Sequence, residues 1–373
     1  MDGLGRARPI GQPIRASGRL AHLGGPDAVI VGDLGATYLR VALATRGRLG
    51  PVTRRRTAEL GIDPVLGVAP GIIEVMREVL LAAYGPQAAD GSPPRPAAIG
   101  LGVPSSVDAA GAIYHGLDFG VPAGTVMRDA LEAAFDVPAA VDNDANLATL
   151  GEYRRGAGRN TRHFILLTLG TNIGMGVILD GEVFRGATCG AGEAGMLLIP
   201  VDTIGSPPDP DGRRLVASRW FGSGQSRAPD GYAWIEELVG GGALAHAADA
   251  PGGRSARSGP SPGDGRRRSA RVFRQAAAGN RAALDLVDRA IEGWAFTIAN
   301  LVAILDPEAI ALSGGLVGDV EPFLDRLRAR AAELSRVPPR IIVAELGAKA
   351  GLVGAELAAR DAARTVVLAA DAS

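Results

Sequence analysis

Cysteine is almost missing: the 373 residues contain one, Cys189. A single thiol builds no intrachain disulfide framework, and it cannot supply a multi-cysteine zinc site. Histidine is nearly as scarce, with His22, His115, His163 and His246 scattered and no HExxH or close pair among them. Lysine occurs once, at Lys349, so the remaining 38 of the 39 cationic residues are arginine. Ala350 follows Lys349, which excludes the G-x4-G-K-[ST] phosphate loop. No sign of charge is in excess. The net charge is −1, so no global field draws the chain to nucleic acid or to an anionic membrane. Long apolar runs are lacking too: Phe164–Leu169 and Ala295–Leu305 are the best, well short of the ~18–20 residues of a membrane span. The opening MDGLGRARPIGQPIRAS has no apolar signal-peptide core. The expectation is a soluble, cytoplasmic protein.

What is present is ordinary globular usage, 47% hydrophobic and 21% charged, and the length suggests about two compact domains. Residues 1–27 mix Gly, Pro and Arg without periodicity and read as a disordered tail. Order begins with AVIVGDLGATYLRVALAT, a strand, a tight turn at Asp33–Thr37 and a second strand. Helical spacing covers GIIEVMREVLLAAYG, closed by Gly85, and VMRDALEAAFD. Buried strands are expected at AAIGLGVPSSVD and Ala139–Val141, and a helix opening at or just after Asn146. HFILLTLGTNIGMGVILDGEVFRG then repeats the opening arrangement. The likeness of DLGATYLRVAL to TLGTNIGMGVIL suggests an internal duplication, with two related lobes facing a cleft. Ile204–Gly212 and 249–268 read as loops, the second disordered, with Arg266–Arg268 a solvated charge run. Beyond it come helices broken near Gly279, a strand at Ala309–Leu312 running into Gly314–Gly315, the helix FLDRLRARAAELSR, the strand IIVAEL and a final helix.

Several segments carry chemistry. Asp33, Gly35 and Thr37 share the first turn, and Gly170, Thr171 and Gly174 the second. Such turns present backbone N–H groups and hydroxyls to phosphate oxygens, because missing side chains let an anion approach. Either turn alone reads as an ordinary hairpin; the pair in matching contexts says more. An Asp in a phosphate-facing turn calls for an intervening cation, so Asp33 points to Mg2+ held through water. VDNDAN (141–146) ends a strand and opens a helix. A carboxylate there can take a proton from an attacking hydroxyl, although Asp or Asn also caps helices. Glu193 lies among small residues in CGAGEAG, with room for a ligand's hydroxyls or simply in an exposed loop. GAGEAG itself fails as a dinucleotide fingerprint, since neither flank has the strand-to-helix context. In ALSGGLVG, Gly314 and Gly315 leave space for a flat adenine or its ribose, and GLVGAE (351–356) offers a second such wall.

The ordered series DLGAT, GVPSSVD, VDNDAN, LTLGTNIGMG, GAGEAG and LSGG, spread over about Val29 to Ala359, resembles the ROK family (repressor, open reading frame, kinase), a branch of the actin-like sugar kinases. The resemblance implies an α/β fold of two lobes, each a mixed sheet flanked by helices. The first lobe would span 28–143, completed by a helix over 352–366, and the second 144–351. ATP and Mg2+ would sit in the cleft, and the γ-phosphoryl group would pass to a sugar hydroxyl. By the same resemblance Asp144 is the base, with an unshifted carboxylate. Asn143, Glu193 and Ser105 bind the acceptor, the two turns bind phosphate, and Gly314 and Gly315 bind adenosine. A homodimer acting on a small-molecule sugar or cyclitol is implied, without nucleic acid or membrane.

Three departures stand out, all toward the acceptor. Met196 occupies the position of a family histidine. The segment DTIGSPPDPDGRRLVASRW lacks the zinc-binding cysteines, and the acidic sugar ligand that follows them is missing near Arg213–Arg214. HGLDFG (115–120) replaces a sugar-binding asparagine. Retained phosphoryl transfer with a changed acceptor follows, such as a C7 carbocyclic sugar mimic without a normal anomeric hydroxyl. A sugar-responsive repressor is the competing class. The 32 residues before Asp33 are fewer than the ~50 of a minimal DNA-binding domain and show no helix-turn-helix pattern. A third class is a binding protein without catalysis, which the intact Asp33, Asp144 and GTNIG oppose.

Overall fold

The computed structural model describes residues 28–61, 63, 67–85, 95–114, 121–200, 232–248 and 264–371. The expectations for the tail 1–27, HGLDFG, Ile204–Gly212, the cysteine-free segment with Arg213–Arg214, and 249–263 lie outside these residues.

Two sheets with one topology organise the chain. The first holds β1 (Ala28–Leu34), β2 (Tyr38–Thr45), β3 (Arg48–Leu49), β4 (Thr53–Arg56), β5 (Ala98–Val103) and β6 (Ala139–Asn143), in the order β3-β2-β1-β5-β6 with β4 also on β2. The second holds β7 (Phe164–Leu169), β8 (Ile173–Leu179), β9 (Glu182–Val183), β12 (Ala309–Ser313) and β13 (Ile341–Val343), in the order β9-β8-β7-β12-β13. In each, a hairpin (β1–β2, β7–β8) is antiparallel and the strands beyond it run parallel. The duplication legible in the two Gly-containing turns is thus a duplication of whole sheets. β10 (Leu198–Pro200) and β11 (Tyr232–Trp234) form a separate short ribbon.

The helices are α1 (Ala69–Tyr84), α2 (Met127–Phe135), α3 (Asp144–Arg155), α4 (Ile235–Val239), α5 (Gly241–Ala247), α6 (Asp264–Ala277), α7 (Arg281–Leu305), α8 (Val317–Val320), α9 (Leu324–Leu334) and α10 (Ala350–Asp371). Central strands such as β1 and β5 are buried along their whole length, as parallel strands covered on both faces must be. One face of the first sheet packs Ile30, Leu39 and Ile99 against Ile72 and Met76 of α1 and Leu131 of α2. The opposite face packs Val29, Val31 and Ala42 against Leu352, Ala355 and Ala359 of α10. The second lobe is built around Trp294 and Phe273, whose rings stack with centroids 6.0 Å apart.

α3 and α10 cross where the lobes meet, and small residues make the crossing close. A Cβ on Gly354 would stand 1.7 Å from the Leu147 carbonyl, and one on Gly151 2.4 Å from that of Ala350. No side chain larger than hydrogen fits there without moving backbone. The crossing fixes α3, and with it the residues at its first turn, against both sheets.

Two sequence expectations need correction. α3 begins at Asp144, not at or beyond Asn146, because Asn143 is its N-cap: the side chain accepts from Ala145 N–H at 2.9 Å and Asn146 N–H at 3.1 Å. The loop expected to reach Arg268 gives way to α6 at Asp264. Arginine is a good helix former, and the buried Ser269, Ala270, Val272, Phe273 and Ala276 anchor the rest of the helix on the second-lobe core. Among the described residues no helix is long and apolar enough to cross a membrane.

Candidate active site

A cleft of about 910 Å³ separates the sheets, near the upper end of the ~300–1,000 Å³ usual for ligand sites. Its wall includes Asp33, Ser105, Asn143, Asp144, Gly174, Glu193, Gly314 and Gly315, eight residues singled out in the sequence. Their positions follow from the duplicated sheets. β1, β5 and β6 run parallel and deliver Asp33, Ser105 and Asn143–Asp144 to one end of the first sheet, the end where α/β folds place ligands. β7 and β12 deliver Gly174's hairpin and Gly314–Gly315 from the second.

Gly35, Thr37, Gly170 and Thr171 are not among the residues lining the cleft. Their turns are closed internally: Gly35 N–H donates to the Tyr38 carbonyl at 3.0 Å and Gly170 N–H to that of Asn172 at 3.1 Å. The carbonyls of Gly170 and Thr171 accept from Gly241 and Gly242, which pins the second hairpin to the start of α5. These four residues shape and anchor the turns, while Asn172, Ile173 and Gly174 reach the cleft.

Gly314 requires its residue type. Its φ is +99°, and a Cβ would meet the Leu169 carbonyl at 2.4 Å, so β12 can turn away flat at the cleft wall only with glycine. Gly351 plays a related part at the start of α10, where a Cβ would lie 2.9 Å from Asp33 Oδ2. The remainder of GLVGAE is no wall: Glu356 is fully buried and paired with Arg155 at 2.5 Å and Arg360 at 2.8 Å.

The electrostatics are lopsided. Among the described residues four carboxylates line the cleft (Asp33, Asp144, Glu193, Glu236) against one guanidinium, Arg40. Asp33 is 5% exposed and forms an ion pair with Arg40, its cross-strand neighbour; Arg40 also donates to the Ala348 carbonyl at 2.7 Å. Burial nevertheless pushes the Asp33 carboxyl upward, against the pull of Arg40. Asp144 does not keep an unshifted carboxylate. It is pushed from 3.8 up to about 7, first by burial, then by the charge of Asp33, with Glu193 adding to the rise; the Ala145 N–H and Arg40 oppose it. Burial in a cleft shared with Asp33 and Glu193 sets the rise of Asp144, which isolated motifs do not reveal.

Around Asp144 stand the polar groups of a small-molecule site. Asn143 Nδ2 donates to the Ser105 carbonyl at 3.3 Å, and Ser106 Oγ to Glu193 Oε1 at 3.3 Å. Asn146 is 3% exposed, and its Oδ1 has no partner among the described residues.

Glu236 is the principal residue that sequence reasoning missed. The acid expected after the cysteine cluster appeared lost, but Glu236 lines the cleft close to Gly195, with a Cβ there falling 2.6 Å from its Oε2. Burial raises its carboxyl to about 7 despite the Ile173 N–H, and Glu193 and Glu237 add to the rise. Its signal was the run YAWIEELVGGGAL, a short apolar strand turning directly into a helix. Met196 and Trp234 line the same cleft. Of the changes on the acceptor side, the missing carboxylate is therefore withdrawn.

Two topologically equivalent lobes around such a cleft define the actin-like kinase fold. The ROK family model matches residues 87–362, and the chain belongs to the ROK family. A curated relative, the glucokinase of Halalkalibacterium halodurans, is 31% identical over 265 residues, covering 69% of this chain and 74% of that protein. The bifunctional enzyme NanE/NanK of Brucella melitensis is 36% identical over 229 residues; the match covers 61% of this chain and only 36% of that longer protein. Among solved structures, a ROK family glucokinase from Streptomyces griseus in complex with glucose and AMPPNP superposes with a TM-score of 0.63. It is 26% identical, covering 90% of this chain and 99% of that one.

Proposed function

We propose that the protein is an ATP-dependent kinase that phosphorylates a primary hydroxyl of a hexose-like acceptor, either a sugar or a C7 cyclitol, with Asp144 as general base. The observation that carries this reading is the position of Asp144 in one cleft with acceptor-type polar groups (Asn143, Glu193, Glu236) and the glycine wall at Gly314 and Gly315. A carboxylate raised to about 7 is well matched to proton removal near neutral pH. Asp144 would orient the acceptor hydroxyl and take its proton as the bond to phosphorus forms. Most of the rate would come from alignment and charge compensation.

A divalent cation fits this donor set. A triphosphate entering a cleft with four carboxylates and one guanidinium meets like charge unless a cation accompanies it. Asp33 would hold Mg2+ through water, with Arg40 keeping part of its carboxylate occupied. When bound, the ion supplies neutralisation of charge on the phosphates.

Met196 supports a changed acceptor. A thioether offers no strong hydrogen bond to a sugar hydroxyl, so the acceptor end beside it is less polar than one holding an imidazole. A carbocyclic acceptor without an anomeric hydroxyl suits that end. This reading places the protein in the cytoplasm as a homodimer, and light scattering checks the second point. The test of function is ADP release with glucose, mannose, N-acetylmannosamine, fructose, valienol and 2-epi-5-epi-valiolone. Acceptor-dependent turnover supports a kinase. Tight sugar binding without turnover would instead support a sugar-sensing regulatory protein.

A further inference from the structure

The end of β6 carries an ion pair with no part in the chemistry above. Asp142 is 7% exposed. Its Oδ2 accepts from Arg185 Nε at 3.0 Å and Nη2 at 2.5 Å. Its Oδ1 accepts from Asn143 N–H at 2.7 Å and Asn146 Nδ2 at 3.1 Å. One carboxylate therefore holds an arginine fork on one side and the start of α3 on the other. Arg185 follows β9 in the second lobe, and its carbonyl accepts from Ala191 N–H at 3.0 Å, closing the loop that leads to Glu193. The pair joins the first-lobe strand that leads directly into Asp144 to the second-lobe chain carrying Glu193.

We propose that Arg185 and Asp142 are positioning residues for phosphoryl transfer: their forked pair locks the end of β6 and the first turn of α3, so that the Asp144 carboxylate and Glu193 are held in register across the cleft. The proposal rests on the reading of Asp144 as base. Three features favour it over a plain surface ion pair. The carboxylate is buried, and both its oxygens are used. Asn146 spends its amide nitrogen on Asp142 although its own Oδ1 then lacks a partner among the described residues. The contact also favours arginine: Nε and Nη2 of one planar guanidinium converge on Asp142 Oδ2, a direction that the freely rotating, more strongly hydrated ammonium of lysine does not fix.

Charge and geometry separate in the test. The charged groups facing Asp144 are Asp33, Glu193 and Arg40, with Glu236 in the same cleft and Asp142, paired with Arg185, two residues before it in the chain. Four variants are compared with wild type: Arg185→Ala, Arg185→Lys, Asp142→Asn and, as reference, Asp144→Asn. Steady-state kcat, both KM values, the pH profile and Tm are measured for each. Arg185→Ala lowers kcat about 10–100-fold, the scale of a misplacement near 1 Å, and leaves KM for ATP within about threefold. It also moves the acid limb of the profile upward, because Asp142 stands unpaired beside Asp144. Arg185→Lys keeps the limb at its wild-type position but still loses about tenfold in kcat. Asp142→Asn moves the limb downward. A merely structural pair would lower Tm and active fraction without this ordered movement of the limb. Folded Arg185→Ala and Arg185→Lys proteins with kcat near wild type would overturn the proposal, as would Arg185→Ala and Asp142→Asn proteins that lose activity with the limb unmoved in both. Should Arg185→Ala not fold, Arg185→Lys decides alone. Retained turnover in Asp144→Asn would instead strike the base assignment.

Discussion

Burial, with the charges of Asp33 and Glu193 added, pushes the Asp144 carboxyl up to about 7, and this has two measurable consequences. The first is kinetic. A base raised to about 7 is half ionised at pH 7 and about one-tenth ionised at pH 6, so kcat/KM for the acceptor falls about fivefold from pH 7 to pH 6 and about tenfold per pH unit below that. A carboxylate left at 3.8 would give a flat profile from pH 5 to pH 8. The assay is ADP release at saturating ATP, quantified without a pH-sensitive coupling enzyme. Glu236 is also raised to about 7, and Glu236→Gln separates the two sources: the limb persists in that variant if Asp144 causes it. The second consequence is thermodynamic. Between about pH 4 and pH 7 the folded chain holds a proton on Asp144 that the unfolded chain has released. Stability therefore falls as pH rises through that window. At 1.36 kcal/mol per pH unit, the penalty above pH 7 reaches at most about 4 kcal/mol. Asp144→Asn removes it, so the variant melts several degrees higher than wild type at pH 8, and the difference vanishes near pH 4. A flat kinetic profile, or an Asn variant that melts lower at pH 8, would refute the electrostatic reasoning.

Glu236→Gln keeps the shape of the acceptor end but removes a charged acceptor of hydroxyl protons; KM for the acceptor rises at least tenfold while kcat changes less, measured by steady-state kinetics. Gly354→Ala forces a methyl against the Leu147 carbonyl, costs about 1–3 kcal/mol in calorimetry, and lowers turnover because α3 carries Asp144. With one cysteine in the chain, a zinc-selective chelator leaves activity unchanged at a free Mg2+ concentration held constant.

The duplicated hairpins were legible because each combines an apolar strand, a Gly-containing turn and a second apolar strand, a local pattern that needs no tertiary information. The same holds for the helix expected over GIIEVMREVLLAAYG, observed over Ala69–Tyr84, and for the break near Gly279. Asp33, Asn143, Asp144 and Glu193 were legible because they end strands or sit among small residues. What stayed hidden is what depends on packing. The internal closure of the turns at Gly35 and Gly170 takes two of the expected phosphate donors. The rise of Asp144 comes first from burial and then from the charge of Asp33, more than a hundred residues away in sequence. Glu236 reaches the cleft through a short ribbon and helix whose run YAWIEELVGGGAL does not by itself say that it faces the cleft. The start of α3 was misplaced by two residues because Asp142, Asn143 and Asp144 are all acceptable caps, and only the structure shows that Asn143 takes the role.

The most direct test of the account is the turnover of Asp144→Asn beside its affinity for ATP measured by calorimetry. The base assignment predicts that phosphoryl transfer to the best acceptor falls by about a thousandfold or more, with ATP bound within a few-fold as tightly as by wild type. Phosphorylation at a rate near wild type would contradict it.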